Sequence, residues 1–346
     1  MVPTQDDSKT TTKFRVAICG GGIAGICLAL SLSKYPDIQV DLYEAAARFT
    51  EIGAGLTVQG RTWKPLELMG VDATLRKAAA AANNVATTFQ VMMEKKVAEG
   101  LPEFSKYAEP VWTGTIAYRV LVPVDRLPSF VLEKPALKKP LLHCGKNKHV
   151  VTYCIAQGTM LNVVALVSQP ELSDTVYDGP WATECNPAEM VDSFLDWEPR
   201  VREVLKLAEK PIKWAIHDLR PLPIYVSHNV ALVGDSAHAM TPHQGSGAGQ
   251  AIEDAYILGS LLGHPSTTID TLPHALKAYE HVRLPLANNV LTCSRDAGLI
   301  YDFRSECGDD YEAIGATLSH AWDWMGEDGV EEQLQKALLN MMEALK

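Results

Sequence analysis

The chain has 346 residues and a formal net charge of −11, because 42 aspartates and glutamates outnumber 31 lysines and arginines. A chain of this length can bury two sizeable cores, and its acidic balance excludes charge-driven binding to nucleic acid and to anionic membrane surfaces. No apolar run approaches the ~20 residues that span a bilayer, and the polar start lacks the apolar core of a signal peptide, which favours a cytoplasmic location.

The seven cysteines are scattered along the chain and form no Cys-x-x-Cys pair. This pattern favours reduced thiols over a disulfide framework. Cys144 stands near His143 and His149, and a loop between strands explains that cluster as well as a metal site does. The sequence therefore predicts no bound metal.

Residues 14–19 form a short strand-like run that leads into a glycine-rich turn. The turn fits the G-x-G-x-x-G pattern, in which the first glycine turns the chain, the second admits a pyrophosphate and the third lets the helix pack closely. The start of the helix would face that pyrophosphate. The predicted cofactor-binding residues here are Gly20, Gly22, Ile23, Ala24 and Gly25.

A second predicted strand, 38–43, ends at Glu44. Glu44 lies about 20 residues beyond the last glycine, which is the separation expected of an acid that binds a ribose hydroxyl. An acid at this point favours an adenosine ribose without a phosphate. Together with the glycine-rich turn, it leaves NAD and FAD as candidate cofactors.

The middle of the chain is rich in strand-like runs, at 116–124, 150–155 and 160–167, with little helix between them. This pattern predicts an antiparallel sheet that belongs to a substrate domain.

The stretch 231–254 is the most informative part of the chain. Residues 229–233 predict a short strand, Gly234 lets the backbone turn, and Asp235 then offers a carboxylate to a ligand hydroxyl. Glycines beyond Pro242 leave N–H groups uncovered at a helix start, which suits a phosphate or an electron-rich ring edge. Because a nicotinamide dehydrogenase needs no second element of this kind, the pair of elements favours FAD over NAD.

Ionisable residues surround this second element. His238 and His243 could each carry a proton near neutral pH, and a helix-start histidine held by backbone groups is the alternative. Glu253 and Asp254 fall in the early turns of the next helix, where the helix dipole favours a carboxylate. That helix carries small residues on one face, which predicts close packing on the sheet, and the chain is helical from Thr271 onward.

Four stretches together resemble the FAD-dependent aromatic-ring monooxygenases of the salicylate hydroxylase type, in particular their fungal members. They are the turn at 20–25 with Glu44, the loop at 49–55, the strand at 113–119 and the segment at 234–254. The likeness runs from residue 14 to about residue 305, and the last stretch is more specific than the first.

The resemblance implies a fold and a reaction. The fold is α/β, with a Rossmann-like FAD-binding domain at 14–100 and 213–305, an antiparallel β-sheet substrate domain at 101–212, a C-terminal helical segment at 306–346 and a disordered N-terminus at 1–13. The reaction is hydroxylation of a salicylate-like phenolic acid, with FAD as cofactor and NAD(P)H and O2 as co-substrates.

The resemblance also assigns roles to single residues. Glu44 would hold the adenosine ribose, and Asp235 would hold the ribityl or pyrophosphate region. Gly53 and Gly55 would approach the cofactor as well. The loop beside the flavin ring would include Pro242, Gly245, Gly247 and Ala248.

Related enzymes place an arginine and a tyrosine near the substrate, at points that match Arg119 and Tyr153. A cation and a phenol can orient an aromatic carboxylate or phenolate, so these two are the candidate catalytic residues. The alternative is structural, with Arg119 paired on the sheet surface and Tyr153 packed in the core.

One block departs from the family pattern. Between Gly70 and Trp112 the chain is much shorter than the family, and it lacks an arginine-containing helix and an Asp-Gly motif with a following Ser and Arg. Its own Asp-Gly pairs, at 178–179 and 328–329, lie in other contexts. The sequence therefore predicts a shortened form, for which a catalytically impaired FAD-binding protein is the main alternative and a nicotinamide dehydrogenase a further one.

Overall fold

The computed structural model describes residues 12–46, 60–75, 107, 109–132, 139–323 and 329–346. The loop at 49–55, with Gly53 and Gly55, lies outside the described residues, and so does most of the block between Gly70 and Trp112. The predictions for those residues stay predictions.

The described chain opens with a parallel strand–helix–strand unit. β1 (Phe14–Cys19) leads into α1 (Ile23–Leu32), and β2 (Ile38–Tyr43) pairs with β1 in parallel along its whole length. Such a parallel strand–helix–strand unit is the repeating unit of a Rossmann-like domain. α2 (Gly60–Met69) packs in the same hydrophobic core.

A six-stranded antiparallel sheet forms the middle of the chain, as predicted. Its strands are β3 (Val111–Pro123), β4 (Leu141–Gly145), β5 (Lys148–Ile155), β6 (Met160–Ser168), β7 (Ala182–Glu184) and β8 (Ile212–Asp218). Their order across the sheet is β4, β5, β6, β3, β8, β7, and each neighbouring pair is antiparallel.

The two faces of this sheet differ. Three short helices accompany it, namely α3 (Ser129–Leu132), α4 (Pro187–Asp192) and α5 (Pro199–Leu205). One face packs against α4 and α5, where Tyr118 and Val163 share a core with Met190. Because alternate residues of a strand point to opposite sides, Arg119 and Tyr153 lie on the other face.

After the sheet the chain returns to the first core through β9 (Val226–Ser227) and β10 (Val230–Ala231), a short antiparallel pair. The strand predicted at 229–233 is thus only two residues long. Beyond the strand, the Val233 N–H donates to the Ser236 hydroxyl and not to a neighbouring strand. This hydrogen bond ends the strand early and leads into the turn that follows.

Helices build the rest of the chain: α6 (Asp235–His238), α7 (Gly247–Gly263), α8 (Leu272–Tyr301), α9 (Tyr311–Ser319) and α10 (Val330–Ala344). The prediction that the small-residue face of α7 packs on the sheet was wrong, because α7 packs on α1. A Cβ at Gly259 would lie 2.3 Å from the Ser31 Oγ, so only glycine lets the two helices approach so closely.

The described residues form two hydrophobic cores. The first joins β1, α1, α2, α7, α8 and α10, and the second joins the sheet to α4 and α5. The domain boundaries proposed from the sequence stay a prediction. Within the described residues, no helix combines the length and the apolar character needed to cross a membrane.

Candidate active site

The first glycine-rich turn has a backbone that only glycine accommodates. Gly20 has a φ of +112°, a conformation that side chains disfavour. A Cβ on Gly25 would lie 2.0 Å from the Gly20 carbonyl oxygen, so α1 starts directly against the end of β1. Gly22 precedes the first residue of α1 in an extended conformation, and no side chain caps that helix start. The turn therefore leaves a helix N-terminus suited to a pyrophosphate.

Glu44 lies beside this turn, at the end of β2. Its carboxylate accepts hydrogen bonds of 2.7 Å from the Gly21 N–H and from the Ala46 N–H. The hydrogen bonds from Ala46 and then Gly21 lower the pKa of Glu44, which keeps the carboxylate ionised. An ionised acid next to the glycine-rich turn is the arrangement predicted for binding a ribose hydroxyl.

The second element meets the first through Gly234. Gly234 adopts a φ of 62° and a ψ of −141°, which only glycine tolerates without strain. A Cβ placed on it would lie 2.8 Å from the Cβ of Ala24 in α1 and 3.3 Å from the Cβ of Ala251 in α7. The two turns that the sequence singled out are therefore in direct contact.

Asp235 follows at the start of α6, and its carboxylate is the group predicted to bind a ligand at this turn. Among the described residues its carboxylate has no hydrogen-bond partner, although the surroundings enclose it enough that burial raises its pKa. Gly247 leaves the space next to it open, since a Cβ there would lie 4.0 Å from the Asp235 Oδ1. An enclosed carboxylate that lacks a donor fits the hydroxyl groups of a ribityl chain.

The loop predicted to lie beside the flavin ring connects Asp235 to α7. Pro242 begins a 3-10 turn that ends at Gln244, and Gly245 then takes the left-handed conformation with a φ of 62°. Gly247 and Ala248 begin α7, and no side chain caps this helix start either. The loop therefore presents uncovered N–H groups near Asp235, which suits an electron-rich ring edge.

A buried ionic cluster holds the Gly234 turn from behind. Asp254 of α7 accepts hydrogen bonds from the Gly234 N–H at 2.8 Å, from the His238 Nε2 at 2.7 Å and from the Arg283 Nε at 2.7 Å. Burial alone would raise the pKa of Asp254, but the charges of His238 and Arg283 outweigh it and lower the pKa overall. The carboxylate thus ties the cofactor turn to α7 and α8.

The same cluster extends to the C-terminal helix. The Arg283 guanidinium also donates to Glu253 at 2.8 Å, to Gln333 of α10 at 2.8 Å and to Gln250 at 2.7 Å. Arg283, Glu253 and Asp254 are almost completely buried, so each charge depends on the others for solvation. The role of Glu253 and Asp254 is therefore to pair with Arg283, more than to complement the helix dipole.

A second buried cluster joins the sheet to the flavin-side loop. His149 of β5 lies on the same sheet face as Arg119, and its Nδ1 is 2.7 Å from the Asp302 Oδ1. Its Nε2 is 3.3 Å from the Nδ1 of His243. Because a carboxylate only accepts, the His149 Nδ1–H donates to Asp302, and the His149 Nε2 faces the His243 Nδ1.

The outer edge of His243 faces a helix, not the loop interior. A Cβ on Gly298 of α8 would lie 2.5 Å from the His243 Nε2, so the ring sits in a notch that glycine leaves in the helix. Burial, and next the neighbouring His149, hold the pKa of His243 well below its usual value. His243 thus connects the loop to α8 and β5, and its role as a proton carrier stays a prediction.

This arrangement predicts a pH dependence of stability. His243 binds a proton less readily in the folded chain than in the unfolded chain, so stability should fall as the pH drops below about 6.5, the ordinary pKa of histidine. We expect His243→Gln to reduce the loss of unfolding free energy between pH 7.5 and 5.5 by about 1 kcal/mol. Urea unfolding of the parent chain and the variant at both pH values measures this difference in unfolding free energy.

The control for this experiment is His320→Gln, because His320 is an exposed histidine whose ion-pair partner is Asp323, outside the cluster. The control should keep the pH dependence of the parent chain. An unchanged pH dependence in His243→Gln would contradict the assignment.

The candidate substrate residues lie on the sheet face that carries His149. Arg119 is on β3 and Tyr153 is on β5, two strands away, with β6 between them. Burial lowers the pKa of Arg119, and the nearby Tyr153 hydroxyl partly offsets this. The two side chains are thus electrostatic neighbours, and His149 places their face next to the Pro242 loop.

A family model described as an FAD binding domain matches residues 214–294, which include Gly234, Asp235 and the start of α7. With the β1–α1–β2 unit and the antiparallel sheet, this match defines the class of protein. It is an FAD-dependent oxidoreductase.

The relatives narrow the class. A salicylate hydroxylase of Pseudomonas putida is 31% identical over an alignment of 413 positions, gaps included. The alignment covers 95% of this chain and 95% of that protein. The 6-methylsalicylate 1-monooxygenase atA of Aspergillus terreus is 27% identical over 95% of this chain and 92% of that protein. The solved structure of a salicylate hydroxylase substrate complex has a TM-score of 0.76 at 27% identity, over 95% and 98% of the two chains. The chain belongs to the salicylate hydroxylase-like family of FAD-dependent aromatic monooxygenases.

The alignment also bears on length. It runs over 413 positions whereas this chain has 346 residues, so the Pseudomonas enzyme contains positions that have no counterpart here. Their location between Gly70 and Trp112 stays a prediction.

Sequence reasoning missed Arg283 and Asp302. Arg283 lies 29 residues from Asp254 and on another helix, and Asp302 lies 153 residues from His149. No local pattern marks such partners. The available signal was the pair of adjacent acids at 253–254, the charged residues of a largely buried helix, which need a buried cation.

Proposed function

We propose that this monooxygenase hydroxylates an aromatic acid with a ring hydroxyl, and that the residues predicted from the sequence hold its FAD. The observation that carries the proposal is the contact between the two turns, with Gly234 packed on Ala24. Beside it lies the Asp235 carboxylate, for which the described part of the chain supplies no hydrogen-bond donor. Gly20, Gly25 and Glu44 then line one end of an extended dinucleotide. The backbone cradle and the donor-seeking carboxylate fit FAD, whose two ends need both elements.

When bound, FAD supplies the redox chemistry, in which NAD(P)H donates two electrons and O2 gives one oxygen atom to the ring and one to water. The chain contributes binding and orientation. We assign Arg119 to the substrate carboxylate and Tyr153 to a ring oxygen, because they share one sheet face and a guanidinium matches a carboxylate in geometry. The names of the Pseudomonas and Aspergillus relatives, which act on salicylates, support this substrate class.

We also propose a cytoplasmic location for the enzyme. All seven cysteines are free thiols, and six of them are at least partly buried behind other side chains. Free thiols agree with a reducing compartment.

The visible absorption spectrum of the purified chain tests the cofactor assignment. We expect a yellow protein, and we expect Asp235→Ala to weaken FAD binding by about tenfold or more, since a hydrogen bond to a charged group contributes about 1.5–3 kcal/mol. Asp270→Ala, which removes an exposed carboxylate, is the matched control and should bind FAD like the parent chain.

The outcomes separate the alternatives. A yellow protein that oxidises NAD(P)H in the presence of salicylate supports the proposal. A yellow protein that oxidises no NAD(P)H, whichever phenolic acid is added, indicates the impaired FAD-binding form. Cofactor binding that survives Asp235→Ala unchanged would favour a nicotinamide dehydrogenase that uses the first turn alone.

A further inference from the structure

Asn162 is a polar residue at an apolar position. It is the single polar residue in the β6 run from Met160 to Val167, and its side chain is fully buried. Both its amide nitrogen and its amide oxygen lack a hydrogen-bond partner among the described residues. Burying an amide without partners is unfavourable, so a leucine or valine would serve packing better at this point.

The register of the sheet puts Asn162 in the candidate substrate face. Asn162 pairs directly with Tyr153 of β5 on one side and with Leu121 of β3 on the other. Leu121 is two residues from Arg119, so both point to the same face. Asn162 therefore lies between Arg119 and Tyr153, on the strand that separates them.

Arg119 and Asn162 offer complementary groups to a ring with two neighbouring oxygen substituents. Arg119 supplies a fixed positive charge, which a carboxylate matches. The Asn162 amide supplies one acceptor and two donors, which match a hydroxyl group or a phenolate oxygen. No other residue of β6 between Met160 and Val167 can make such a contact.

On this basis, and resting on the proposed function, we propose that Asn162 binds the substrate and recognises its ring hydroxyl. The Oδ1 accepts from a hydroxyl, or the Nδ2 donates to a phenolate oxygen, while Arg119 holds the carboxylate. Asn162 is thus a specificity-determining residue for ring acids that carry a hydroxyl.

The test compares two ligands that differ only in the hydroxyl, salicylate and benzoate. Their affinities for the FAD-loaded enzyme are read from the perturbation of the visible flavin spectrum, without turnover. We expect the parent chain to prefer salicylate, and we expect Asn162→Leu to weaken salicylate about tenfold while benzoate changes less than about threefold. Asn162→Ser, which keeps a donor and an acceptor, should retain part of the preference.

The matched control is Thr152→Val, which removes a buried polar group from β5 on the opposite face of the sheet. It should leave the preference unchanged. Equal weakening of both ligands in Asn162→Leu, or a parent chain that does not distinguish them, would overturn the inference and leave the flavoprotein assignment intact. A parent chain that purifies without FAD and takes up none would overturn the proposed function itself, and this inference with it.

Discussion

Arg283→Met is expected to destabilise the folded chain by about 3–5 kcal/mol and to release its FAD. The substitution keeps the volume of the side chain but removes the cation that Glu253 and Asp254 share inside the protein. Those carboxylates would stay buried, with Glu253 left to Arg61 and Asp254 left to His238. Asp254 would also hold the Gly234 N–H less firmly, because its orientation depends on Arg283. Denaturant unfolding and retained flavin absorbance measure the two effects.

Lys277→Met is the control for this prediction, since it removes a cation from the same helix. Lys277 is mostly exposed and pairs with Glu280, so its loss should change stability by less than about 1 kcal/mol. If both variants lost the same small amount of stability, the buried cluster would not be the anchor of the cofactor turn.

Gly234→Ala should abolish FAD binding and reduce stability by about 3 kcal/mol. The added methyl would lie 2.8 Å from the Ala24 Cβ, and neither side chain can rotate away. The backbone conformation of Gly234 would add strain, because its φ and ψ are open only to glycine. The two turns would have to separate, and the distance across the dinucleotide site would change. Equilibrium dialysis with FAD and a thermal melt test both expectations.

Gly70→Ala isolates the strain from the clash. Gly70 also has a positive φ, of +78°, but nothing lies within 4 Å of a Cβ placed on it. We expect this control to lose about 1–2 kcal/mol and to bind FAD normally. Normal FAD binding in Gly234→Ala would mean that the two turns tolerate separation, against the proposed site.

Local spacing accounts for what the sequence predicted. The glycines at 20–25, the acid at 44 and the Gly234–Asp235 turn each follow a rule about neighbouring residues, so their local geometry could be predicted before any fold was known. The antiparallel sheet followed from alternating runs in the same way. The position of Arg119 and Tyr153 on one face follows from strand register, which the sequence constrains only loosely.

The features that the sequence did not predict depend on contacts between segments that are far apart in the chain. The packing of Gly234 on Ala24 joins segments that are far apart in the chain, and no periodicity encodes it. α7 was expected on the sheet because a small-residue face signals close packing without naming the partner. His243 was weighed as a proton carrier because its environment, set by Gly298 and His149, is invisible in the local sequence.

α8 connects the two halves of the candidate site. Its 30 residues extend about 45 Å at 1.5 Å per residue. Arg283 donates to Asp254 behind the cofactor turn. Asp302, one residue beyond the helix end, accepts from His149 of the sheet. The helix therefore ties the Gly234 turn to the sheet and helps to set the distance between them. Substitutions on the sheet face would leave that distance unchanged, whereas an insertion in α8 would alter it.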